Sequence, residues 1–180
     1  ALYFLQMTQQ MLSVLLGKTE EKYRLIGKYF NEEELFPVWE ETNNLMTLFF
    51  GYVFKTIITY LLGNYEEAIA NAKTAEKYKG VGAAMMVTGE HNFYYSLSLL
   101  PRLVKVDSAD KNEYLELLKT NQADLQFWAE TAPNNYQHKY QLVEAEKARV
   151  LGNRLEAIEL YDKAIATAKE NEFIHEEALA

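Results

Sequence analysis

Three histidines, His91, His138 and His175, are the side chains of this sequence that ordinarily titrate near neutrality. Each needs a partner group before it can move a proton or hold a metal. Glu172-Phe173-Ile174-His175 has the Glu-x-x-His spacing that puts both groups on one helix face, as in di-iron helical bundles. Such a centre also needs a second Glu-x-x-His and two more glutamates on facing helices, and no second copy occurs. A helical metalloenzyme built on Glu172 and His175 is therefore kept only as the enzyme-class alternative, and no metal is expected. His91 directly follows Glu90 and reads as a helix-start residue, and His138 reads as exposed or capping. Gly80-Val81-Gly82 opens like a dinucleotide fingerprint, but Met85 holds the third glycine position and a helix precedes it, so the segment reads as a linker. Phosphate-loop and nucleophile-elbow motifs are absent, and the acidic runs 32–34 and 40–41 read as solvated faces. These residue types assemble no catalytic group and call for no cofactor.

Composition narrows the remaining classes. The 180 residues carry 18 basic and 26 acidic side chains, for a net charge of −8, which repels the phosphate backbone on average and argues against nucleic acid. The aromatic run Phe93, Tyr94, Tyr95 and the pair Phe127, Trp128 are thus expected in a core, not under stacked bases. The absence of cysteine excludes disulfides and thiolate chemistry and suits a reducing, cytoplasmic setting. Eight glycines and three prolines leave little punctuation for strands. The stretch from Leu45 to Leu62 approaches the length of a membrane span, but Lys55 lies inside it and its flank lacks an orienting basic cluster. It reads as a buried helix, with no membrane insertion. The apolar start at Leu2 and the helix-forming end at Glu176 to Ala180 read as a segment excised from a longer chain.

The elements follow from a repeat. Leu62-Gly63-Asn64-Tyr65-Glu66-Glu67-Ala68-Ile69 aligns with Leu151-Gly152-Asn153-Arg154-Leu155-Glu156-Ala157-Ile158 at an offset of 89 residues, and Leu16-Gly17-Lys18 is a weaker copy of the turn. In this octet glycine closes one helix in the left-handed state, and asparagine caps the next with glutamate at its third position. Turns of two or three residues then force helix pairs antiparallel. On the second helix Leu155, Ile158, Tyr161, Ile165 and Ala168 form the stripe expected to pack. The reading divides one domain into units at about 1–37, 38–80, 81–133 and 134–172, with a fifth beginning at 173–180. Helices are expected near 2–16, 19–30, 39–62, 65–79, 83–100, 111–131, 135–151 and 154–170, with breaks at Phe36-Pro37 and Pro101 and a loop at 107–110.

Gly63, Tyr65, Ala68 and Ala75, and likewise Gly152, Ala157, Tyr161 and Ala164, resemble the second-helix signature of tetratricopeptide repeats, although the first-helix signature is lacking. The resemblance implies an all-α fold in which antiparallel helix pairs stack as a right-handed superhelix. From residue 90 onward, Glu90 to Leu100, Phe127-Trp128-Ala129-Glu130, Asn135 to Tyr140 and the run from Val143 to Ala180 resemble the helical middle region of large cyanobacterial-type multi-sensor kinases. That family places the region between serine/threonine kinase and nucleotide-binding modules on one side and GAF sensor and histidine-kinase modules on the other. The resemblance implies a segment without catalysis of its own, serving as a protein-interaction or coupling scaffold.

The physical reason to expect binding is the concave face that stacked pairs form along their first helices. Counting from each unit's glycine places Phe50, Val53, Ile57, Tyr60 and Leu61 on that face in one unit, and Lys139, Leu142, Glu146, Arg149 and Val150 in the other. Lys139 and Arg149 are its basic candidates for contacting a protein or peptide partner, which includes other domains of the same parent chain. The apolar half is expected to be covered. A free-standing adaptor holding a peptide in this groove is the alternative to the coupling segment.

Overall fold

Helix ends set the architecture. The computed structural model describes residues 2–83, 85–104 and 108–180, the side chains of 108–110 excepted. Its helices are α1 (Leu2–Leu15), α2 (Glu32–Glu41), α3 (Leu45–Leu61), α4 (Tyr65–Glu76), α5 (Met86–Leu103), α6 (Ser108–Thr131), α7 (Pro133–Val150), α8 (Arg154–Glu170) and α9 (Ile174–Leu179), with a 3-10 turn at Lys79–Gly82. Among the described residues the one β feature is an isolated bridge between Ile26 and Asn31. The protein is thus all-α, as its composition and periodicity require.

The repeated octet folds as its chemistry dictates. Gly63 (φ 77°) and Gly152 (φ 86°) take the left-handed state past the ends of α3 and α7. There the Gly63 amide donates to Tyr60 O and the Asn64 amide to Thr59 O, while the Gly152 amide donates to Arg149 O and the Asn153 amide to Ala148 O. This paired closure is the Schellman motif. Gly17 closes α1 in the same way, and two ends without glycine do so as well, at Asn43 (φ 53°) after α2 and at Glu172 (φ 64°) after α8. Connections of three residues therefore join α2 to α3, α3 to α4, α7 to α8 and α8 to α9, and each of these pairs is packed. The caps vary on the expected theme. Asn64 accepts from the Glu67 amide, whereas Asn153 donates its side-chain amide to the Glu156 carboxylate.

The chain divides into two compact units, Ala1–Tyr95 and Ser96–Ala180. In the first, α1, α2, α4 and the 3-10 turn all pack on α3. That explains why 45–62 is apolar on every side: Leu48, Phe49, Val53, Ile57 and Ile58 are buried. The buried Thr56 and Thr59 hydroxyls donate back to Tyr52 O and Lys55 O, so they bring no unmet polar group into the core. Met7, Val14, Leu25, Phe30, Phe36, Trp39, Leu48 and Ile58 form one buried cluster. Each such large side chain contributes about 1.5–3 kcal/mol of burial. No helix among the described residues is long and apolar enough to cross a membrane.

Two expectations fail in this unit. Residues 19–30 are irregular instead of helical, because long-range side-chain bonds replace the intrahelical ones. Buried Gln10 of α1 donates to Ile26 O at 3.0 Å and accepts from the Tyr29 amide at 3.1 Å. Gly27 lies so close that a Cβ there would come within 2.6 Å of the Gln10 amide nitrogen. Pro37, expected to end a unit, lies inside α2, whose stop is the Asn43 closure. The long helix expected at 39–62 is accordingly broken at 42–44.

In the second unit α6 packs on α7, α7 on α8 and α8 on α9. Pro133 takes the first position of α7, where its missing N–H costs nothing. Pro101 falls within the last turn of α5, which runs on to Leu103. Of the loop expected at 107–110, Asp107 lies outside the described residues and α6 already begins at Ser108. On α8 the buried residues are Ala157, Ala164 and Ala168, small side chains that let helix axes approach closely. Of the stripe expected to pack, Ala168 is buried and Tyr161 and Ile165 are half-buried, but its first two members are not, leaving Leu155 81% and Ile158 57% exposed.

Candidate functional site

The residues assigned to a binding face on α7 recur at helical spacing, and the structure gives each a different environment. Leu142 is buried. Glu146 and Arg149 form a forked pair, with Arg149 Nε donating to Glu146 Oε1 at 3.1 Å and Nη2 to Oε2 at 2.6 Å. From α8 the Tyr161 hydroxyl donates to the same Glu146 Oε1. The hydrogen bonds from Arg149 to Glu146, with the charge of that carboxylate, raise the Arg149 pKa further above its usual value against the opposing effect of burial. Burial first, and Glu146 second, push the Tyr161 phenol up to about 12. Half of the Arg149 side chain remains in water, so it keeps a solvent-facing surface while its charge is matched from within.

Lys139 departs furthest from expectation. It is 1% exposed, and its ammonium donates to Glu176 Oε1 on α9, itself 1% exposed. A buried cation must find such a partner. The ammonium also lies 5.5 Å from the centre of the Phe173 ring, a cation–π arrangement. Phe173 stacks on the buried His138 ring at 4.4 Å and 33°. The expected exposed or capping His138 is thus a ring clamped between helices, and neither of its nitrogens has a hydrogen-bond partner. His138 Nε2 lies 3.9 Å from Glu176 Oε1, beyond hydrogen-bond distance. On the other side His175 Nε2 approaches Glu176 Oε2 at 2.6 Å. Burial alone would raise the Glu176 pKa, but His138, Lys139 and His175 together bring it below the ordinary carboxylate range.

The Glu-x-x-His expectation fails for a backbone reason. Glu172 is the left-handed residue closing α8, and α9 starts only at Ile174, so Glu172 and His175 do not share a helix face. No group of three or more His, Asp or Glu side chains among the described residues could hold a metal ion.

The apolar half of the face lies on α3. Val53 and Ile57 are buried, Phe50 packs against Phe4 and Phe54, and the Tyr60 ring meets Tyr65 and Tyr94. Leu61 alone of these five is classed as exposed. Lys55, the cation inside this helix, has a partner that sequence spacing could not identify: its ammonium donates at 2.7 Å to buried Glu32, 23 residues away. Glu32 also accepts from Arg24 Nε at 3.3 Å and from the Leu25 amide at 2.9 Å.

His91 likewise has an unforeseen partner. It is fully buried in α5, between the Phe49 and Tyr95 rings, and its Nε2 lies 2.6 Å from Glu76 Oε2. Burial pushes the Glu76 carboxyl up, yet His91 and Lys79 hold it below its usual range. A lysine in an apolar stripe and a histidine in an aromatic run both announce that an acid must face them, but neither says which acid. No protein-family model, curated protein or solved structure matches the chain.

Proposed function

We propose that this chain is a non-catalytic helical-repeat scaffold for protein interaction. In this reading its helix pairs continue as a tetratricopeptide-like right-handed superhelix, and it works in the cytoplasm as the coupling segment of a multi-sensor signal-transduction kinase of the kind its sequence resembles. One observation carries the interaction part. On α8, Leu155 and Ile158 leave apolar side chains three residues apart in water beside the packed alanine seam. Apolar side chains grouped on one face mark a surface for another protein. The kinase part is supported by sequence resemblance alone.

The test uses the protein encoded by the complete reading frame. Leu155→Glu together with Ile158→Glu places two charges on that face without touching the buried face of α8. The expected result is unchanged helical circular dichroism with a several-fold change in the rate of autophosphorylation from ATP. An unchanged rate, or a reading frame without a kinase module, refutes the coupling role. The adaptor alternative then predicts that the double substitution abolishes binding of a partner protein.

A further inference from the structure

α1 is apolar on two opposite faces. Its inward face packs on α3 and buries Met7, Gln10 and Val14. On the outward face Leu2, Leu5, Leu12 and Leu16 are 67%, 58%, 50% and 65% exposed, and Gln9 between them is exposed as well. Leu16 lies just past the end of the helix, but its amide still donates to Leu12 O, so the last turn carries it. From Leu2 through Leu5, Gln9 and Leu12 to Leu16 the steps are three, four, three and four residues, the spacing of the a and d positions of a heptad repeat. Met7 and Val14 then fall at f, the position farthest from that seam. A helix that is apolar all round is a helix covered all round.

Three features fit the outward seam to a second copy of itself. No charged residue occurs from Leu2 to Leu15, and the flanking e and g positions are Gln6, Thr8, Ser13 and Leu15. Charges at e and g ordinarily select the partner of such a helix. A charged partner finds no counter-charge here, whereas a neutral α1 meets another without repulsion even though the chain carries a net charge of −8. Gln9, at the middle a position, needs a polar partner once water is excluded. In a parallel pairing each a residue meets its own copy, so two Gln9 amides donate to and accept from each other. An antiparallel pairing sets a against d and would leave Gln9 facing a leucine. Finally, α1 is already held as a helix by α3, so association need not order it.

We propose that the outward face of α1 is a homodimer seam, on which two copies of the chain pair as a parallel two-stranded coil with Gln9 against the partner's Gln9. Such a contact is isologous, the same face serving both copies. It shares no residue with the α8 surface of the interaction reading and stands or falls independently of it. Two heptads lie at the lower edge of the roughly 1,000 Å² that a specific interface needs, so dissociation belongs in the micromolar range.

Sedimentation equilibrium of the 180-residue chain across the micromolar range reads the association. The mass should rise with concentration from 20.8 kDa toward twice that value. Leu5→Glu with Leu12→Glu, both at exposed positions, should raise the dimer Kd about tenfold or more while helical circular dichroism is unchanged. Because the chain has no cysteine, Gln9→Cys introduces a single thiol, and mild oxidation should link two chains through it. A parallel pairing brings these positions within disulfide reach, and an antiparallel one does not. A chain that stays monomeric overturns the proposal and leaves the seam to another protein or another segment of a longer chain. A dimer that survives the two glutamates, or one that Leu155→Glu with Ile158→Glu abolishes, overturns it as well, and a dimer that fails to cross-link overturns the parallel register. Should the glutamate variant fail to fold, Gln9→Lys decides. Two like charges face to face should raise the Kd about tenfold or more, and an unchanged Kd overturns the seam.

Discussion

Among the described residues each unit holds a lysine–glutamate pair largely out of water, part-buried in the first and fully buried in the second, and the two pairs are built differently. Glu32, at the start of α2, has both carboxylate oxygens engaged, one by Lys55 and Arg24 and the other by the Leu25 amide. Its own amide donates back to Leu25 O, and its place in the first turn suits its charge. Lys55 comes from the middle of α3, the helix on which the first unit packs. Glu176 has Lys139 on one oxygen and the exposed His175 beside the other, and its helix follows the left-handed closure at Glu172. The two pairs therefore do different things. The first ties an irregular segment and a helix to a core element, while the second holds a peripheral helix in place. The difference lies in whether the acid can leave with its element and let water reach the lysine.

That comparison predicts unequal losses. Glu32→Ala strands the Lys55 charge inside the first unit, with no small element able to swing out, and should cost about 3–5 kcal/mol of global stability. Urea unfolding measures it, and a loss below about 1 kcal/mol would mean that water already reaches Lys55. Glu176→Ala should cost less, about 1–2 kcal/mol, because α9 can detach and hydrate Lys139. Its signature is local, with faster exchange of the α9 amides and unchanged protection in α7. The pH dependence carries a definite sign. The Glu176 pKa is lower in the folded chain than in the unfolded one, so its contribution is present above the ordinary carboxylate pKa and is lost as pH falls through the folded value. Protection of α9 should therefore decline on acidification, while Glu176→Ala should show no such decline. A flat profile in both would remove the charge pair from the account of docking.

The strained turn offers a change of opposite sign. Replacing Glu172 with glycine removes the left-handed penalty without touching the Phe173 or Glu176 side chains. It should stabilise α9 by about 1 kcal/mol. If exchange of the α9 amides is unaffected, the turn is not what limits docking.

Much of this architecture was legible because it is local. The Gly-Asn turns, the Asn64 cap and the helices of 133–170 depend on residues within one or two turns of each other and match the local reading. Asn153, by contrast, makes no such cap and bonds the Glu156 carboxylate instead. The misreadings have a common physical origin in contacts made far along the chain. Residues 19–30 have acceptable helix formers but are held open by Gln10 and by Glu32. The closures at Asn43 and Glu172 lack the glycine that marks the others. On α8 the stripe expected to pack is met at Ala168 but not at Leu155 and Ile158, because the close approach to α7 favours the alanines Ala157, Ala164 and Ala168. At the candidate site, the spacing puts Lys139, Leu142, Glu146 and Arg149 at helical steps along α7, where each has a different environment. What covers Lys139 comes from 37 residues away and left no mark in the local pattern.

The smallest effect tests the one acidic group among those four. Glu146 accepts from both Arg149 and Tyr161, so it can tie α7 to α8 much as Glu32 ties its segment to α3, but in a more solvated setting. The Tyr161 phenol, raised to about 12 by burial and by Glu146, stays neutral in the folded chain after it would ionise in the unfolded one. Its contribution is thus complete below the ordinary tyrosine pKa of about 10 and is lost as pH rises toward 12. The tyrosinate absorbance of the unaltered chain minus that of Tyr161→Phe isolates this group among the 13 tyrosines. Glu146→Gln removes the carboxylate but leaves the burial, so the midpoint should fall only part of the way toward 10. A midpoint that does not move would assign the whole shift to burial. Glu146 would then be a surface partner of Arg149 with no hold on α8, and Glu32 would be the only acid of the two that fastens one element to another.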